Sequence, residues 1–232
     1  KKKQLRKKGC PSGQDGSLAM PRYWHWLWAL YLPLYLAAFF LVEHYINGDA
    51  AYWVSYWPLV DDAIPFCPPF VLAYYLWFPY MVLTGLYLAF RYPDCFRRYM
   101  QTIAVGFTLC TLFFFILPNG QDLRPASFSE DNLFTWMIGR IYAADTNTNV
   151  LPSVHAYGSI VVVFAAYDCP AFKPWLRALY ILLAGLICAS TLFIKQHSIL
   201  DVIAGVLLAV PIYFLVYAPA RRKKAQGGTN PQ

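Results

Sequence analysis

The feature that most constrains this chain is a succession of long stretches that contain no Asp, Glu, Lys or Arg. They occupy residues 23–42, 63–90, 99–117, 150–167, 178–194 and 202–220. About 20 apolar residues in a helix suffice to cross the hydrocarbon core of a bilayer. These stretches are apolar all round, whereas a helix of a soluble bundle keeps one charged face. With 59% apolar and 19% aromatic residues but only 13% charged ones among 232, the chain has too little polar surface for an ordinary soluble domain. The expectation is an all-α polytopic membrane protein. It has a six-transmembrane-helix bundle over residues 23–220, one long extracytoplasmic loop, and basic tails at 1–22 and 221–232. The first run is read as a retained anchor, because it exceeds the apolar part of a signal peptide and runs into Glu43, His44 and an aromatic loop.

The net charge of +7 does not point to nucleic acid, because of where the charge lies. Sixteen of the 19 Lys and Arg residues fall on one side of a six-crossing path, and only Arg124, Arg140 and Lys195 fall on the other. The positive-inside rule then places both termini in the cytoplasm and the loops 43–62, 118–152 and 195–201 outside. The expected partners are membrane lipids. The six cysteines (Cys10, Cys67, Cys95, Cys110, Cys169 and Cys188) include no Cys-x-x-Cys pair and read as small apolar fillers.

His25 lies among Tyr23, Trp24, Trp26 and Trp28, the composition of an interfacial aromatic belt. The first outer loop carries Glu43, Asp49, Asp61 and Asp62 and no cation, with Tyr52, Trp53, Tyr56 and Trp57 suited to the headgroup surface. The longest polar stretch, 119–149, has a short helix expected over 132–142. It leads into Pro152-Ser153-Val154-His155, where Ser153 fits a helix N-cap.

Ionisable groups at membrane depth are costly and usually functional. Alternating helix directions bring Arg124, Ser153, His155, Lys195, His197 and Asp201 to one leaflet. His197 and Asp201 stand four apart, so on a helix the carboxylate can hold one imidazole nitrogen while the other faces a substrate. Two imidazoles, a carboxylate and two cations suit phosphoryl transfer, where the protein positions the group and offsets its negative charge. One imidazole can attack phosphorus and the other can protonate the departing oxygen. The free N–H groups at the start of the helix after Ser153 form an anion site.

Arg124-Pro125, Pro152-Ser-Val-His155, and Ser190 with His197 and Asp201 resemble the three signature motifs of the type 2 phosphatidic acid phosphatase superfamily. That pattern is Lys, six residues, Arg-Pro; then Pro-Ser-Gly-His; then Ser-Arg, five residues, His, three residues, Asp. The resemblance implies that His197 forms a phospho-enzyme and that Asp201 orients it. It also implies that His155 is the acid for the leaving group and that Arg124 and Ser153 bind phosphate, with Val154 and Ser190 as further positions on the phosphate side. It implies no metal or other cofactor and a lipid phosphate or diphosphate as substrate. The pattern's first lysine falls at Leu117, its glycine at Val154 and its second arginine at Thr191. Lys195, one helical turn beyond Thr191, returns a charge if the helix continues that far. These departures look closer to the branch of inositol phosphorylceramide synthase-like phosphotransferases, which pass the group to a hydroxyl instead of water.

Other readings stay open for individual residues. Ser153 fits a cap and a phosphate ligand equally, Lys195 fits a snorkelling lysine, and Ser190 fits a hydroxyl bonded back within its own helix. Two further functions compete with the enzyme. A transporter would use His155, His197 and Asp201 as a proton relay, although such sites belong at mid-membrane. A zinc site would use the same three side chains, although no His-Glu-x-x-His or Cys-rich pattern accompanies them.

Overall fold

The computed structural model describes residues 24–45 and 52–227, with side chains through Ala220. The expected N-terminal tail, Cys10 and Asp49 lie outside the described residues, as do the side chains of the C-terminal tail. A 3-10 segment, Trp24–Leu30, leads into α1 (Tyr31–Tyr45). A short strand β1 (Trp53–Val54) and the one-turn helix α2 (Pro58–Asp61) follow. The next apolar run is α3 (Val71–Tyr75) and α4 (Trp77–Arg91), and α5 (Pro93–Ile116) returns after a single residue. Beyond it come β2 (Asn119–Gly120), α6 (Leu133–Ala144), α7 (Val154–Asp168), α8 (Pro174–Phe193) and α9 (Ile199–Gly227).

Five helical segments are long and apolar enough to cross a membrane: Trp24–Tyr45, Pro68–Arg91, Pro93–Ile116, Pro174–Phe193 and Ile199–Ala220. Their outward faces carry large apolar side chains such as Leu34, Phe40, Phe78, Leu83, Phe115, Leu182, Leu207 and Leu215. Lipid accommodates such a surface, and water does not. The remaining expected crossing, the fourth in chain order at 150–167, is the 15-residue α7, shorter than the other five segments. Its first residues form an irregular segment through Ser153 instead of helix.

α7 lies at the centre of the bundle. Ala156, Tyr157, Val161, Val162 and Ala166 are fully buried, and the helix packs on α4, α5, α8 and α9. Tyr157 donates to the carbonyl of Thr102 on α5 (2.6 Å), and Gly106 leaves room for its ring. At the far end of α7 the Arg98 guanidinium makes a buried ion pair with Asp168 (2.6 Å).

Helix boundaries depart from the charge-free runs for local reasons. α5 starts at Pro93, a residue preorganised for a first helical turn, and so takes in the charged residues before Tyr99. The second run begins only after Pro65 and breaks at Leu76. Pro79, three residues on, has no N–H to give the carbonyl of Tyr75. Within the expected all-α fold, β1 and β2 pair in parallel (Trp53 with Asn119, Val54 with Gly120), and Thr148 bridges to Gly120 on the other side. This small sheet joins the first and second long loops at one end of the bundle.

Candidate functional site

The start of α7 and the turn between α8 and α9 meet at that end. Gly205 of α9 permits the approach: a Cβ there would lie 2.5 Å from the Ser153 carbonyl. The N–H of Ser153 donates to the carbonyl of Asp201 (2.9 Å), which aligns the first turns of the two helices. The Ser153 side chain accepts from the N–H of Ala156 (3.2 Å), so it caps α7 as expected and is fully buried in that role. The N–H groups of Val154 and His155 are then the remaining donors at this helix start.

α8 ends in a turn that the sequence disguises. The N–H of Gln196 returns to the carbonyl of Thr191 (2.9 Å) and that of Lys195 to Leu192 (3.1 Å), the bonding of a Schellman motif. Its left-handed position, usually glycine, is Lys195 at φ 53°. His197 therefore sits in the turn and not on a helix. Its contact with Asp201 comes from the cap of α9, where the Asp201 carboxylate accepts the Ser198 N–H (2.8 Å) from three residues earlier.

Asp201, His197 and His155 form one line. His197 Nδ1 lies 3.3 Å from Asp201 Oδ2, and His197 Nε2 lies 3.3 Å from His155 Nδ1. Asp201 is fully buried and also accepts from the Ser55 hydroxyl, which in turn is 2.8 Å from the Ser198 hydroxyl. The His155 ring packs between Tyr74 (4.6 Å between centroids) and Trp77 (4.5 Å). A tetrahedral group bound between the two imidazoles needs about 2.8 Å of hydrogen bond on each side. The His155 ring must turn from His197 to admit one.

Arg124 reaches this end but is largely committed. Its terminal nitrogens donate to the carbonyls of Tyr142, Asp145 and Thr146 and to Gln196 Oε1 (2.9 Å), and the guanidinium lies 4.3 Å over the Tyr142 ring. Its Nε is buried without an acceptor. Burial lowers the arginine from its ordinary value. Burial also raises Asp145, which accepts from Gln196 Nε2 (2.7 Å) and stands near His197 and Arg124. Glu43 adjoins them, held by Thr146 Oγ1 and Asn149 Nδ2 (both 2.6 Å). Asp145 and Glu43 thus both lie near the Arg124 guanidinium.

Two expected site residues are not brought to the histidines. The Lys195 ammonium donates to the carbonyls of Asp61 (2.8 Å) and Ile64 (2.6 Å), because α8 stops at Phe193 and the left-handed turn sends the side chain the other way. Burial lowers its pKa. It therefore supplies no substitute for the charges missing at Leu117 and Thr191. Ser190 donates back to the Ile187 carbonyl (2.6 Å) within its helix. Among the described residues no group of three or more His, Cys, Asp and Glu is arranged to hold a metal ion.

Sequence reasoning missed Ser55, Tyr74, Trp77, Asp145 and Gln196. Ser55 and Asp145 lie in loops with no periodic pattern, and the two aromatics are indistinguishable in sequence from their many apolar neighbours. No protein-family model matches the chain, and no curated protein matches it.

Proposed function

We propose that the chain belongs to the type 2 phosphatidic acid phosphatase superfamily and hydrolyses a lipid phosphate or diphosphate monoester in the outer leaflet. The observation that carries this reading is the Asp201–His197–His155 line, assembled from two motifs 42 residues apart. His197 Nε2 attacks phosphorus as the bond to the lipid oxygen breaks, and protonated His155 gives its proton to that departing oxygen. Asp201 holds the other nitrogen of His197 as positive charge develops. Water then attacks the phosphohistidine, passes its proton to His155 and releases phosphate. The N–H groups of Val154 and His155 and the unpaired Nε of Arg124 are donors for the phosphoryl oxygens. In this reading α7 is a sixth crossing. The charge asymmetry puts both termini in the cytoplasm and the histidines outside.

A second reading is transfer of the phosphoryl or phospho-alcohol group to a lipid or glycan hydroxyl. Asp145 favours it, because a carboxyl group near His197 disfavours the second charge of a monoester and can accept a hydrogen bond from a hydroxyl. The test supplies purified protein with ³²P-labelled lipid phosphates and phosphodiesters, with and without a hydroxyl acceptor. The proposal expects label on His197 and loss of turnover in His197→Ala. Unimpaired turnover in that variant removes the nucleophile. Label captured only by water selects hydrolysis, and label on the acceptor selects transfer.

A further inference from the structure

At the end of the bundle away from the histidines, the Trp24–Leu30 segment, the start of α5 and the end of α9 enclose a cleft of about 540 Å³. α9 runs from beside His197 to this cleft, a rise of about 33 Å at 1.5 Å per residue. The two sites are therefore separate. We infer that this cleft binds the headgroup of an anionic phospholipid from the adjacent leaflet.

Three observations carry the assignment. The first is a cation that the fold leaves available. Arg98 is locked to Asp168 through Nε (2.7 Å) and a terminal nitrogen (2.6 Å). Among the described residues Arg97, on the same cleft, has an ion pair with Asp94 alone, at 3.5 Å, and the two side chains are 43% and 81% exposed. An ion pair that open is weak and readily exchanged for a phosphate oxygen.

The second is the charge of the chain on both sides of the cleft. Arg22 lies two residues before Trp24, and the basic residues 221–224 follow Ala220 directly. The chain is thus basic in sequence immediately before and immediately after the segments that line the cleft.

The third is an apolar wall that a soluble anion would not use. Trp24 and Trp28 line one side and Val216, Pro219 and Ala220 the other. Tryptophan favours the level of the headgroups, and apolar walls suit the glycerol and acyl portions of a lipid. Basic clefts between helix ends are suited to lipid phosphates.

The test uses the full chain in nanodiscs of phosphatidylcholine with a minor fraction of phosphatidylglycerol, with retained lipid counted by native mass spectrometry. The expected result is selective retention of phosphatidylglycerol, weakened about fivefold in Arg97→Gln. The variant's thermal midpoint in pure phosphatidylcholine should match wild type. Retention that is unchanged in Arg97→Gln overturns the inference, as does retention with no preference for the anionic lipid. Inorganic phosphate and soluble glycerophosphoglycerol form the competing arms. Displacement of the lipid by either at millimolar concentration would show a free-anion site and overturn the lipid assignment.

Discussion

At the scale of single residues, the proposed relay depends on how Asp201 is held. Its carboxylate receives the Ser198 N–H, the Ser55 hydroxyl and the His197 ring, so a fully buried charge has three donors. Removing such partners is costly because a buried charge cannot turn to water. The roles of the two histidines should separate in kinetics. A general acid contributes about 10²- to 10⁴-fold, so His155→Ala should slow hydrolysis of an alkyl lipid phosphate by that order. The loss should shrink for an aryl phosphate whose phenol leaves without protonation. Equal losses on the two esters would remove His155 from the acid role.

At the scale of elements, the end of α8 decides where two side chains go. Lys195 occupies the left-handed position of the Schellman turn and secures the first long loop through the carbonyls of Asp61 and Ile64. A side chain with a Cβ in that conformation costs about 1 kcal/mol or more. The ammonium's hydrogen bonds offset the strain. Lys195→Gly should lower the thermal midpoint by losing these bonds, and Lys195→Met should lower it further, since it loses the bonds and keeps the strain. Scanning calorimetry in detergent would measure the order, and identical midpoints for the two variants would contradict the backbone argument. The first turn of α9 shows the same economy. Asp61 caps its N–H at Ile199 (2.8 Å) while Asp201 receives that of Ser198, so helix initiation and positioning of the relay use the same groups.

At the scale of the whole molecule, a short central helix is wrapped by longer ones, and its two ends carry different chemistry. The start of α7 holds His155, and its end holds the Arg98–Asp168 pair. The proposed orientation is testable in a cysteine-free background. Asp131→Cys should react with a membrane-impermeant maleimide applied to intact cells, whereas Asp94→Cys should react only after permeabilisation. The reverse pattern would invert the orientation, and labelling of both from one side would contradict a bundle with two exposed ends.

The sequence alone determined the helical membrane class, the gathering of three loops at one end and the pairing of His197 with Asp201. Run length and charge asymmetry are local properties of a chain; the pairing expected from helical spacing is made instead by the Asp201 cap of α9, with His197 in the preceding turn. It also anticipated the cap at Ser153 and a helix near 132–142, realised as Leu133–Ala144 with Asn132 as its cap. Only the tertiary structure decided that the fourth run would become a 15-residue core helix, that Lys195 would leave the histidines and that Arg124 would be drawn into loop carbonyls. Each outcome turns on partners far away in sequence. The carbonyl of Asp61 is 134 residues from Lys195, and Ser55 is 146 from Asp201. Packing sets such pairings, and no periodicity in the sequence encodes them.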